Sequence, residues 1–234
     1  KTIFYLTDDD KVNYYRYQAI RFLREDLRET YYDQAVLISK SLAGIMKTLM
    51  VKRVESSFHA FQITLNNLLL STQRMIKMFE DNKILIAPDL NINELIEKGF
   101  SVEEIEGLVI QLSTENPKNN IFKAEDFNPE LVHGLKKDAE LLQELSDEWA
   151  KVDEDPKIEE LFHALENELL AKDKNPTGQL ILFTESNDTA DYLAEKIVER
   201  VGSGVLKVSS SNRTKIFDTI QENFDANYLG KRKD

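Results

Sequence analysis

With 234 residues, the chain is long enough for one large or two small domains, and 41% hydrophobic with 9% aromatic residues supplies a core and excludes global disorder. The absence of cysteine excludes a disulfide framework and a thiolate metal site. No apolar run approaches the ~20 residues that span a bilayer, and no signal peptide is visible, so a cytoplasmic chain with no membrane partner is expected.

The net charge of −12 is unevenly spread. Residues 1–80 carry 12 basic and 9 acidic side chains, residues 81–175 carry 10 and 24, and residues 176–234 carry 8 and 9. A nucleic-acid footprint is basic, so the first block is the better candidate for one and the acidic middle a poor one.

Taken in chain order, Thr2–Thr7 is β-branched and aromatic and predicts a strand. Asp8, Asp9 and Asp10 offer an N-cap for a helix over roughly 10–29, with Tyr14, Tyr17, Ile20, Leu23 and Leu27 at helical spacing. Capping explains these acids more simply than a cation site. A helix follows over roughly 33–50. Then Val51, Val54, Phe58, Phe61, Leu65, Leu68, Thr72, Ile76 and Phe79 step by three or four, predicting one long amphipathic helix whose seam packs within the protein.

Residues 82–91 break the pattern. Short helices are predicted at 92–98, closed by Gly99, and from the Ser101/Glu104 capping box to about Leu112. Asn128 and Pro129 open the next helix, with the stripe Leu131, Leu135, Ala139, Leu142, Leu145, Trp149 and Val152. Asp155-Pro156 opens another, with Ile158, Leu161, Phe162, Leu165 and Leu169 inward. After the turn Asn175–Gly178, Leu180–Thr184 predicts a strand buried on both faces. A helix over Asp188–Arg200, a strand at Val205–Val208 and a helix over Asn212–Phe224 complete the chain, with Ser209–Ser211 as its cap. That order is the start of a parallel α/β layer, and two strands cannot make a stable sheet alone. Neither Lys1 nor the polar run Lys231–Asp234 reads as a natural boundary, so an excised piece is expected.

Two Glu-x-x-His pairs, Glu130/His133 and Glu160/His163, have the spacing of di-iron bundles. Neither lies on its helix's apolar stripe, and surface placement is the simpler reading. Gly202-Ser203-Gly204 has neither the glycine spacing nor the strand-to-helix order of a nucleotide loop and reads as a turn.

The run DPKIEELFHALENELL from Asp155, followed by QLILFTESNDTADYLAEKI to Ile197, resembles the entry into the second RecA-like lobe of Swi/Snf-type (superfamily two) helicases. Phe183-Thr184 falls on helicase motif IV. The following segment resembles the family's R-x-x-x-I-x-x-F helix through Arg213, Ile220 and Phe224, which stand farther apart than in that pattern. Upstream, Lys52-Arg53-Val54-Glu55-Ser56-Ser57 resembles the K-R-x-E-S-S of bacterial members, just after the first lobe.

The resemblance implies a mainly α fold with long helices, a helical insertion and a partial RecA-like α/β piece at the C-terminus. It divides the chain into the end of the first motor lobe with a helical protrusion (1–84), an acidic helical insertion or linker (85–175) and part of the second lobe (176–234). It further implies nucleic-acid contacts, to DNA in the first instance, through Lys52, Arg53, Thr184 and Arg213, and packing against motor-lobe segments outside this chain. There is no G-x-x-x-x-G-K-[ST] and no D-E-x-H box. ATP and Mg are therefore expected for a full-length parent, with no cofactor and no catalytic residue here. The alternative is a helical scaffold or partner-binding module without enzymatic activity, whose acidic middle meets a basic partner.

Overall fold

The computed structural model describes residues 1–28, 33–86, 121–184 and 186–225. The helices predicted at 92–98 and 101–112 lie outside these residues. The described part is mainly helical and divides into two compact units, Lys1–Asp153 and Glu154–Asp234.

In the first unit, α1 spans Thr2–Thr7, a 3₁₀ run spans Tyr15–Phe22, and α2 spans Glu25–Arg28. α3 spans Asp33–Ser56 and α4 spans Phe58–Glu80. Strands of two residues, β1 (Ile84–Leu85) and β2 (Ile121–Phe122), pair antiparallel with Ile84 opposite Phe122. α5 then spans Glu130–Trp149.

α4 and α5 form the spine. Phe61, Leu65, Leu68, Thr72 and Phe79 on α4 are buried, as are Leu131, Leu135, Leu142, Leu145 and Trp149 on α5. These are the stripes that helical periodicity predicts, and each large apolar side chain so buried contributes roughly 1.5–3 kcal/mol. The two helices run antiparallel. Phe61 near the start of α4 meets Trp149 at the end of α5, with centroids 4.7 Å apart. Phe79 at the end of α4 shares a cluster with Leu131 and Leu135 at the start of α5. Trp149 also stands edge-on to Phe58 at 5.0 Å and donates its indole N–H to Thr2 Oγ1 at 3.0 Å.

Three expectations for this unit are corrected. The long helix predicted through 51–79 is two helices. Ser57 between them has extended backbone, and its hydroxyl accepts the Ala60 N–H at 3.2 Å, so it caps α4 instead of continuing α3. Thr2–Thr7 is a helix, not a strand. One turn places Leu6 in the core beneath Tyr14, and that burial overrides the β-propensity of the segment.

The helix predicted over 10–29 is also replaced. Tyr14 has φ 56 and ψ 42, a left-handed conformation that stops a helix there, and a 3₁₀ run begins at Tyr15. The aspartates do other work: Asp8 accepts the Asp10 N–H at 2.9 Å, and Asp9 pairs with Lys47 of α3.

Tyr15 lies directly on α5. A Cβ added at Gly134 would sit 2.5 Å from three atoms of the Tyr15 ring, so only glycine admits the phenol at this crossing.

In the second unit, α6 spans Pro156–Ala164, with Asp155 accepting the Lys157 N–H at 3.1 Å and Pro156 opening the first turn. It widens into a π turn over Leu165–Leu169. α7 spans Asn187–Val201, capped by Ser186 and ended by Gly202 at φ +87, and α8 spans Phe217–Phe224. Gly202 and Gly204 (φ +81) occupy positions that L side chains rarely adopt, which suits the turn predicted there.

The strands predicted at Leu180–Thr184 and Val205–Val208 are not formed among the described residues. The expected burial on both faces is likewise corrected: Phe183 is 92% exposed, Ile181 55% and Val208 48%. Two strands alone bury too little to hold a ladder together. Among the described residues of this unit, Ile158 and Leu165 are the buried apolar side chains. The last helix begins at Phe217 and not at Asn212. Asn212 instead closes a turn, accepting the Ser209 N–H at 2.7 Å and donating to the Lys207 carbonyl at 3.0 Å.

Gly134→Ala is expected to destabilise the protein by about 1–3 kcal/mol through overpacking, read by urea denaturation. Combining it with Tyr15→Ala should recover part of that loss. Strict additivity of the two losses would show that the ring is not the obstruction.

Candidate functional site

The residues proposed from the sequence to touch nucleic acid fall two in each unit. Lys52 and Arg53 occupy the last turn of α3, and Thr184 and Arg213 precede α7 and α8.

Lys52 is exposed, while its neighbour is partly buried and already engaged. Arg53 Nε donates to Thr64 Oγ1 at 3.0 Å, across the α3–α4 break. Thr64 is 1% exposed, and its hydroxyl in turn donates to the Ala60 carbonyl at 2.9 Å. The consecutive basic pair therefore splits into two roles. Arg53 ties two helices together beside the Ser57 cap, and Lys52 presents its ammonium to solvent, where a phosphate can reach it.

Thr184 is exposed, and its Oγ1 accepts the Ser186 N–H at 3.3 Å, a local contact at the entrance to α7. Arg213 is exposed within the turn held by Asn212. Thr184 and Arg213 share a unit, but no hydrogen bond or ion pair joins them. Glu130, His133, Glu160 and His163 are all exposed, and no group of three or more metal-ligating side chains is gathered among the described residues.

A groove of about 330 Å³ opens between α4 and α5, lined by Gln62, Leu65, Asn66, Ser146, Trp149, Ala150 and Val152. Its polar groups satisfy one another: Gln62 donates to the Trp149 carbonyl at 2.7 Å, and Ser146 donates to Asn66 Oδ1 at 2.6 Å. None of its lining residues carries a titratable side chain, so it offers shape but no acid–base chemistry.

The most perturbed carboxyl group was not singled out from the sequence. Asp138 is 2% exposed, and its two oxygens accept the N–H groups of Asn13 and Tyr15, each at 2.8 Å. Burial pushes its pKa up to about 6, against the opposing pull of those N–H donors and of Lys137. Tyr14 nearby is pushed up as well, first by burial and then by the Asp138 charge, and its hydroxyl donates to the Leu6 carbonyl at 3.1 Å. A signal for Asp138 was present: it interrupts the apolar stripe at the spacing Leu135, Asp138, Leu142.

No protein-family model matches the chain, and neither a curated protein nor a solved structure matches it.

Arg53→Met should cost about 1 kcal/mol of unfolding free energy, the net worth of a hydrogen bond whose buried partner is left short. Lys52→Met should stay within about 0.5 kcal/mol of wild type, as exposed substitutions do. Denaturation of both variants checks this, and equal losses would remove the distinction drawn between the two side chains.

Proposed function

We propose that this chain is part of a nucleic-acid-dependent ATPase of the Swi/Snf type, supplying helices between the motor lobes and the entry to the second RecA-like lobe. The observation that carries the reading is the setting of α7. It is preceded by Leu180–Phe183 and followed by Val205–Val208, apolar segments left largely exposed. The backbone groups of Leu180, Ile181, Leu182 and Phe183 make no hydrogen bond. Exposed strand-forming residues on either side of a helix, with unpaired backbone before it, are what a parallel α/β layer would leave without its neighbouring strands. The Asp155–Ile197 run, on which the resemblance rests, includes α6 and most of α7.

In this role the chain binds no ATP and hydrolyses none, because it carries neither a phosphate cradle nor a magnesium-binding box. ATP and Mg belong to the rest of the motor. The contribution of this chain is contact with the nucleic-acid backbone, DNA in the first instance, through Lys52, Arg213 and the Thr184 hydroxyl, and packing against the other motor segments. Such contacts hold phosphates without reading bases.

A second reading is favoured by one observation. The first unit closes round its own two hydrophobic clusters, as an independent helical scaffold does. No helix among the described residues is long and apolar enough to cross a bilayer.

Fluorescence anisotropy with a labelled DNA duplex separates the two. The translocase reading expects binding with Kd of about 10⁻⁴–10⁻⁶ M at physiological salt, tightening at low salt and weakening steeply as salt rises. Lys52→Glu and Arg213→Glu should each lower the salt slope by about one. No binding at low salt, or binding indifferent to both charge reversals, would sink the nucleic-acid role and leave the scaffold.

A further inference from the structure

The run before α7 is held at both of its ends and paired nowhere between them. At its start, Asn175 donates to the Gln179 carbonyl at 2.9 Å, and the Gln179 N–H reaches Thr177 Oγ1 at 3.4 Å. At its end, Thr184 Oγ1 accepts the Ser186 N–H at 3.3 Å. Between these anchors the backbone groups of Leu180, Ile181, Leu182 and Phe183 make no hydrogen bond among the described residues. The side chains of Ile181, Leu182 and Phe183 are exposed, Phe183 almost wholly.

An exposed apolar patch with a polar rim marks an interaction site, and here the unpaired backbone narrows the kind of partner. A row of free N–H and C=O groups is satisfied by another strand laid alongside. A helix, whose own groups are paired internally, cannot satisfy it. Anchoring at both ends lowers the cost of ordering the run when a strand arrives.

We propose that Leu180–Phe183 is a self-association edge, on which the same run of a second copy lies antiparallel across a two-fold axis at Leu182. The pairing belongs to the chain by itself and holds whichever reading of its function is right.

An antiparallel two-fold pair sets one residue against itself, because hydrogen-bonded and non-hydrogen-bonded pairs alternate along the ladder and both copies share one pattern. With Leu182 on the axis, Ile181 of each copy faces Phe183 of the other. That sets a β-branched side chain against an aromatic one and covers the most exposed residue of the run. With Ile181 on the axis, Phe183 would face Gln179 instead. No charged residue lies within Gln179–Thr184, so no like charges meet in the ladder. Residues 176–234 carry 8 basic and 9 acidic side chains, so the approaching parts do not share the strong acidity of residues 81–175. A foreign segment would have to match this run in hydrophobicity, lack of charge and β-propensity, whereas a second copy does so by identity.

Sedimentation velocity of the full chain tests this. Between about 1 and about 200 μM it should show a monomer–dimer equilibrium with Kd of about 10⁻⁵–10⁻⁴ M, as befits an interface below about 1,200 Å². Leu182→Lys sets two ammonium groups opposite each other on the axis and should raise Kd at least about tenfold, with the circular dichroism of the monomer unchanged. The chain has no cysteine, so single cysteines report the register. Under mild oxidation Leu182→Cys should cross-link to its own copy. Leu180→Cys, which faces Thr184 in this register, should not, because its twin lies beyond the reach of a disulfide. Should the lysine variant misfold, the cysteine pair decides alone. A chain that stays monomeric across the range, a dimer indifferent to Leu182→Lys, assembly beyond the dimer, or cross-linking of Leu180→Cys as fast as Leu182→Cys overturns the proposal. A monomer would leave the edge to a strand of another polypeptide.

Discussion

A buried carboxyl group fixes how the N-terminal segment meets the helical spine. Without Asp138, the N–H groups of Asn13 and Tyr15 would face the core with no acceptor, and an orphaned buried donor costs about 1–3 kcal/mol. Tyr14 would then have no reason to hold a left-handed backbone that L residues disfavour. The consequences reach several elements. Because Tyr14 turns there, its ring enters the core beside Leu6 and Val12, and Tyr15 drops onto α5 at the one position, Gly134, that has no side chain. The 3₁₀ run that follows then carries Ala19 and Ile20 into the second cluster, against Phe79 and Leu135. One side chain on α5 thus sets the path of the first 22 residues.

The apolar seams were the most legible part of the sequence, and the reason is geometric. A helix packed along one face needs apolar residues every three or four positions whatever its partner is, so Phe61 to Phe79 and Leu131 to Trp149 could be read without knowing that they face each other. The break at Ser57 was hidden for the same reason. Both α3 and α4 turn an apolar face to one core, so the stepping passes from Val54 to Phe58 without a gap. The informative features were polar: two consecutive serines, of which the second caps α4, and Arg53, whose length lets it reach Thr64 round the corner.

Asp138 shows the converse. Its position in the stripe announces burial, but which groups it would face depends on residues more than a hundred positions away in sequence, and no local pattern carries that. The failure at Thr2–Thr7 is of the same kind. Five β-branched and aromatic residues out of six have a real preference for strand, yet one turn of helix suffices to place Leu6 beneath Tyr14 and Thr2 against the Trp149 indole. Of the four candidate contact residues, the sequence located Lys52 and Arg53 on one helix turn, but it could not divide them, because Thr64 becomes their neighbour only after the chain reverses.

The two units differ in how fully they satisfy their own residues, and that difference bears on function. In the first, the apolar stripes of α4 and α5 are buried within the unit. In the second, Leu180–Phe183 and Val205–Val208 carry the β-propensity and hydrophobicity of sheet interior with no sheet round them. Local sequence and local environment conflict there, and such conflicts in natural chains mark places where something beyond the local structure completes the design. The conflict does not arise from weak helices, since α7 is capped at both ends by Ser186 and Gly202. It sits in the segments that flank α7. A scaffold that needed nothing more would have little use for a run such as Leu180–Phe183, which is apolar and a hazard for edge-to-edge pairing when exposed. A motor lobe, whose parallel strands are covered on both faces, needs runs of that composition. It is this mismatch in the second unit, and nothing in the first, on which the proposed translocase reading leans.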